Sequence, residues 1–164
     1  MPPISDRHAQ VARSTYGLHP VFSTSACAAI DALSLCLSTM TRAELERDTG
    51  PGADGTPTMQ LDRVVEAAIV EATAPFGVNV LSEEIGFVDR GSSLTLVVDP
   101  VDGSANAAAD VPLSCFSAAL ADDHRFVSAA TVWLETGRTW AADATGEFRS
   151  PNRWATTGRR PELR

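Results

Sequence analysis

Leu94-Thr95-Leu96-Val97-Val98 runs without a break into Asp99-Pro100-Val101-Asp102-Gly103-Ser104. A short apolar run bounded by turn residues reads as a strand buried in a layered fold. This one ends on two carboxylates, so the fold must cover the strand and leave its end open. Pro100 fixes the backbone between the two acids, and the Val101 carbonyl oxygen can turn inward as a neutral ligand. Gly103 permits a tight turn and close approach of a ligand. Ser104 then opens a short helix, Ser104–Ala109, whose free N–H groups suit a phosphate.

The rest of the chain supplies layers for that strand. Residues 1–22 show no clear periodicity and read as a loosely ordered lead-in. Ile30, Leu33, Leu37 and Met40 form a helical stripe, which predicts a helix from about Ser25 to Asp48, capped by Ser23, Thr24 or Ser25. Residues 49–58, TGPGADGTPT, read as a loop. Leu61, Val64, Val65, Ala68, Ile69 and Ala72 predict a second helix over Gln60–Ala74, stopped by Pro75. VNVLS (78–82) reads as a further short strand, 114–121 and 126–134 as two strands joined by the DDHR turn, and TGRTWAADATGEF as strand–turn–strand. Two helices followed mostly by strands define an α+β or layered α/β class, with one domain over residues 23–150 and a basic tail over 151–164.

Charge narrows the function. All 13 basic residues are arginine, which excludes any mechanism that needs a Schiff-base or phosphate-loop lysine. Residues 149–164 hold five arginines against Glu162, so residues 1–148 carry eight arginines against twenty acids, a net of −12. Such a body repels nucleic acid and anionic membranes unless cations intervene, and an anionic substrate would need metal ions as a bridge. No apolar run approaches the ~18 residues of a membrane span, and the N-terminus lacks a secretory signal pattern. Cys27, Cys36 and Cys115 are odd in number, lack CxxC spacing and read as buried thiols of a cytoplasmic protein. His8, His19 and His124 read as surface residues, and Trp133, Trp140 and Trp154 as core or edge residues.

Three acidic places follow apolar segments: Glu83 and Glu84 after VNVLS, Asp99 and Asp102 after LTLVV, and Asp62 at the start of the second helix. Gathered carboxylates suit a hard cation such as Mg²⁺. Taken singly, each has a plainer reading: a turn former, a solvated acidic loop, or a helix acid favoured by the dipole. The six-residue string DPVDGS is what favours a site.

DGTPTMQLD, LSEEIG and VVDPVDGSAN, in this order and at these intervals, resemble the motifs of the inositol monophosphatase family, which includes archaeal-type inositol monophosphatase/fructose-1,6-bisphosphatases. The resemblance covers about residues 24–150. The haloacid-dehalogenase phosphatases are set aside, because their two aspartates lie two residues apart and here they lie three apart with a proline between. The resemblance implies the N-terminal part of the αβαβα sugar-phosphatase fold, a helix pair on a mostly antiparallel sheet. It implies a Mg²⁺-dependent phosphomonoesterase acting on a small phosphorylated polyol or sugar, inositol monophosphate or fructose-1,6-bisphosphate, with two or three Mg²⁺ ions. Glu83, Asp99, the Val101 carbonyl and Asp102 would hold metal. Asp102, Gly103 and Ser104 would hold the phosphate, and Asp62 with Ser104 and Glu83 would activate the attacking water.

Relatives carry a C-terminal α/β portion with a further Asp ligand, and residues 149–164 do not match it. The resemblance therefore implies that this domain is absent, and that the chain forms a homo-oligomer or lacks its other half. The alternative is a truncated, catalytically impaired homologue that folds and binds metal or a partner without turnover.

Overall fold

The computed structural model describes residues 1–123, 125–146 and 148–149. Helices α1 (Ile4–Ser14), α2 (Val21–Thr39) and the one-turn α3 (Arg42–Leu45) come first, followed by a hairpin of β1 (Asp48–Pro51) and β2 (Pro57–Met59). Helix α4 (Gln60–Thr73) leads through a 3-10 turn to β3 (Asn79–Ser82), β4 (Gly86–Val88) and β5 (Leu94–Asp102). A short helix, α5 (Ser104–Ala108), precedes β6 (Cys115–Asp122), β7 (Arg125–Trp133), β8 (Thr139–Asp143) and β9 (Phe148–Arg149).

Strands β3 to β9 form one sheet in the order β4-β3-β5-β6-β7-β8-β9. The β3–β5 pair is parallel and the other neighbours are antiparallel. Helices α2 and α4 pack on each other and reach the sheet. The fold is thus the layered α/β arrangement expected from the sequence. Alternation along β5 and β6 turns Leu96, Val98, Phe116, Ala118 and Leu120 inward, where they join Phe22, Ile30 and Leu33 of α2 and Leu61, Val65 and Ile69 of α4 in one buried cluster. Each large side chain in that cluster stabilises the fold by roughly 1.5–3 kcal/mol relative to exposure. The opposite face carries a row of paired residues across six strands, Phe87, Leu81, Val97, Ala119, Ala129 and Ala142. Phe87 is 56% exposed and Leu81 42%.

Several sequence expectations are corrected. Residues 1–22 are not a loose lead-in. They hold α1 and the start of α2. Val11 is fully buried, and the buried Arg7 donates from Nη1 to the Leu134 carbonyl and from Nη2 to Ser34 Oγ, both at 3.0 Å. Gly137 leaves room for this contact, since a Cβ there would lie 2.5 Å from the Arg7 carbonyl oxygen. An isolated arginine meeting a distant glycine leaves no periodic trace in the sequence.

Helix α2 starts four residues earlier than expected. His19 Nδ1 accepts from the Val21 N–H at 3.2 Å, while the Ser25 hydroxyl, one of the expected caps, donates back to the Val21 carbonyl at 2.7 Å. The helix stops at Thr39 because Thr41 begins α3 through a reciprocal capping box with Glu44. Spanning 19 residues at a hydropathy of 1.5, α2 is long and apolar enough to cross a membrane by length and composition, contrary to the expectation above. Its apolarity has a use inside this fold, because Phe22, Ile30 and Leu33 are core residues.

The stretch 49–58 is a hairpin rather than a loop, tightened by Asp54, which accepts from the Thr56 N–H and hydroxyl at 2.8 Å. Strand β4 was not anticipated. The second helix and the strands from β5 onward lie close to their expected positions. His124, Trp154 and the tail 151–164 lie outside the described residues.

Candidate active site

Asp99 and Asp102 are three positions apart, so in a regular strand they would face opposite sides of the sheet. They do not, because β5 is bulged between them. Asp99 pairs with Ser117 and Asp102 with Cys115, two residues apart on β6. The extra residue falls within Pro100–Val101, and the bulge turns both aspartates to one side. Gly103 follows with φ +89°, a left-handed conformation that glycine adopts without strain. A Cβ there would lie 2.8 Å from the Leu113 carbonyl oxygen. Asn106 Nδ2 donates to that same carbonyl at 3.0 Å and closes the loop beneath α5.

These elements wall a cavity of about 240 Å³ lined by Asp62, Glu83, Glu84, Asp99, Val101, Asp102, Gly103 and Ser104, with Thr56, Pro57 and Met59 of the hairpin segment. Every site residue named from the sequence therefore reaches the same cavity. Asp62 comes from the first turn of α4 and is buried, with Met59 and Ser104 beside it in the cavity. Glu83 is exposed and Glu84 is buried. The Glu84 carboxylate accepts from the Thr58 hydroxyl, and its neighbour Ile85 donates its N–H to Glu66 Oε1 at 2.9 Å. From the sequence Glu84 counts among the gathered acids but is assigned no ligand, phosphate or water-activating role. Its burial and its Thr58 partner mark it as part of the wall, and the adjacent pair SEE was the available signal.

The site is a concentration of negative charge. Burial, then the charge of Glu84, pushes the Asp62 carboxyl up to about 7 against the opposing pull of the polar groups of Met59 and Ser104. Burial, then Glu83 and Asp102, pushes Asp99 up to about 6 despite the Val101 N–H. Glu83 is raised by desolvation and then by Glu84, Asp54, Asp102 and Glu66. Cys115 donates its thiol to Asp102 Oδ2 at 3.6 Å, and its pKa is raised chiefly by burial. All three cysteines are free, with Cys36 buried and Cys27 and Cys115 half-buried.

An all-oxygen donor set held together against its own repulsion fits a hard divalent cation. Glu83, Asp99, Asp102 and the Val101 carbonyl are the residues that would hold it. The carboxylates ring the cavity rather than meet at one point: among the described residues, no three His, Cys, Asp or Glu side chains are grouped as a ready ion site.

The sequence model of the inositol monophosphatase family matches residues 18–151, and the chain belongs to that family. A fructose-1,6-bisphosphatase/inositol-1-monophosphatase of Archaeoglobus fulgidus is 32% identical over 120 residues, which are 71% of this chain and 47% of the relative. The similarly named protein of Thermococcus kodakarensis is 47% identical over 70 residues, 43% of this chain and 27% of the relative. The chain thus spans about half the length, or less, of these curated relatives. Among solved structures, an inositol monophosphatase-fructose 1,6 bisphosphatase superposes with a TM-score of 0.66 at 24% identity, covering 75% of this chain and 49% of that one. Extragenic suppressor protein suhB from Bartonella henselae gives a TM-score of 0.66 at 21% identity, covering 81% and 51%. At these identities the superpositions bear on the fold alone.

Proposed function

We propose that the chain carries the metal-binding and water-activating part of a Mg²⁺-dependent phosphomonoesterase, whose substrate is a small phosphorylated polyol or sugar such as inositol monophosphate or fructose-1,6-bisphosphate. The observation that carries this reading is that the buried Asp62 lines, with Ser104, Glu83, Asp99 and Asp102, one acidic cavity built from the family's motifs. In this reading the Ser104 hydroxyl donates to Asp62 and its oxygen accepts from a water molecule. Asp62, with a proton affinity near neutrality, suits the base that receives the proton as that water attacks phosphorus. The released alkoxide leaves the phosphate and takes up a proton. Gly103 and Ser104 offer their N–H groups to the phosphate oxygens, and Asp102 orients the group. Mg²⁺ held by Glu83, Asp99, Asp102 and the Val101 carbonyl would lower the pKa of the attacking water and neutralise charge on the ester.

Phosphate release from inositol-1-phosphate and fructose-1,6-bisphosphate, with and without Mg²⁺, tests the proposal. Asp99→Asn should remove both Mg²⁺ binding and turnover, and unchanged Mg²⁺ affinity in that variant would refute the ligand assignment. A second reading, metal binding without turnover, draws on the half-length match and the spread of the carboxylates. Mg²⁺ binding with no phosphate released from either ester would favour it. The exposed apolar row supports association with a second copy or with a further α/β portion, and the free thiols accord with a cytoplasmic location.

A further inference from the structure

Arg63 follows Asp62 in the first turn of α4 and reaches two separate pieces of chain, strand β1 and the segment after β3. Its Nη1 donates to the Glu84 carbonyl at 3.2 Å, its Nη2 to the Pro51 carbonyl at 3.1 Å and its Nε to Thr49 Oγ1 at 3.4 Å. The same hairpin meets Glu84 twice more. Ala53 donates its N–H to the Glu84 carbonyl at 3.0 Å, and Thr58 donates its hydroxyl to the Glu84 carboxylate. Gly52 lies against that carboxylate so closely that a Cβ would fall 2.5 Å from Oε2. The two faces of one residue, its carbonyl and its carboxylate, are therefore fixed by the hairpin, and Arg63 joins the hairpin to the helix that bears Asp62.

We propose that Arg63 is a positioning residue, whose guanidinium clamps the β1–β2 hairpin to Glu84 and so sets the acidic wall of the cavity. The proposal rests on the metal-site reading above. Arg63 lines no part of the cavity and acts through Glu84 and the hairpin. A planar fork with several N–H groups is required, because the three acceptors lie in different directions, and an ammonium group reproduces the charge but not the fork.

The test compares wild type with Arg63→Ala and Arg63→Lys in the full chain by two readouts: amide exchange of Ala53 by NMR, and Mn²⁺ binding by electron paramagnetic resonance. The clamp expects faster Ala53 exchange in both variants. It also expects Mn²⁺ affinity to fall by about tenfold or more, the usual effect of losing a partner behind a metal ligand. Ala53 exchange as slow as wild type in Arg63→Ala overturns the clamp whatever the metal does. Faster exchange with unchanged Mn²⁺ affinity overturns the positioning role. Recovery of both readouts in Arg63→Lys overturns the fork and leaves a charge effect. If wild type itself binds no Mn²⁺, the metal-site reading fails, and the exchange rates alone judge the clamp.

Discussion

Asp62 and Asp99 hold their protons at about 7 and about 6, well above the ordinary Asp value, because burial and neighbouring carboxylates penalise the ionised forms. Their folded pKa values exceed the unfolded ones. Between about pH 4 and pH 7 the metal-free native state therefore binds more protons than the unfolded chain. Their contribution is full below about pH 4 and is lost as pH rises through 6 and 7. At about 1.4 kcal/mol per unit, the Asp62 part is at most roughly 4 kcal/mol. Urea midpoints measured with a chelator should fall from pH 5 to pH 8, less steeply in Asp62→Asn, and saturating Mg²⁺ should restore stability at pH 8. A flat wild-type profile in chelator contradicts the charge arrangement. At Gly103 the constraint is steric. Gly103→Ala puts a methyl against the Leu113 carbonyl at a positive φ, and should destabilise the chain by about 1–3 kcal/mol in thermal unfolding while disordering the loop under α5.

Among the elements, α4 and β5 were legible because their patterns are local: a 3.6-residue stripe ending at a proline, and an apolar run ending at acids. Helix α1 was not, since its anchorage depends on Arg7 reaching Leu134 across the chain. The early start of α2 depends on His19 and the break at Thr39 on Thr41 with Glu44, which apolar periodicity does not report. The same division holds at the site. The DPVDGS string was readable as chemistry, whereas the buried place of Glu84 became visible only when the hairpin, read as a loop, folded over it. The anchorage of α1 is testable. Arg7→Met leaves the Leu134 carbonyl and the Ser34 hydroxyl without this donor in a buried setting, and should cost about 3 kcal/mol. Chemical denaturation measures the loss, and faster amide exchange along α1 would locate it. Unchanged stability would mean that Val11 alone holds the helix.

Seen as a whole molecule, the sheet is covered by helices on one side and carries an apolar row on the other. An exposed patch of this kind favours association. Sedimentation should give an average mass that rises with concentration, and Leu81→Glu with Phe87→Glu should bring it back toward one chain. A wild type that stays monomeric across the series contradicts that reading. The bulge in β5 has a consequence for how such a protein can vary. Its two aspartates share a side only because two residues stand opposite one, so the number of residues between them matters apart from their identity. Swapping Pro100 or Val101 leaves the count intact. Deleting either leaves the aspartates two apart, where strict alternation still puts both on one side, but it removes the unpaired stretch of backbone that the bulge holds between them. Codon deletion at this point thus tests what the bulged backbone supplies while both acids keep their side of the sheet.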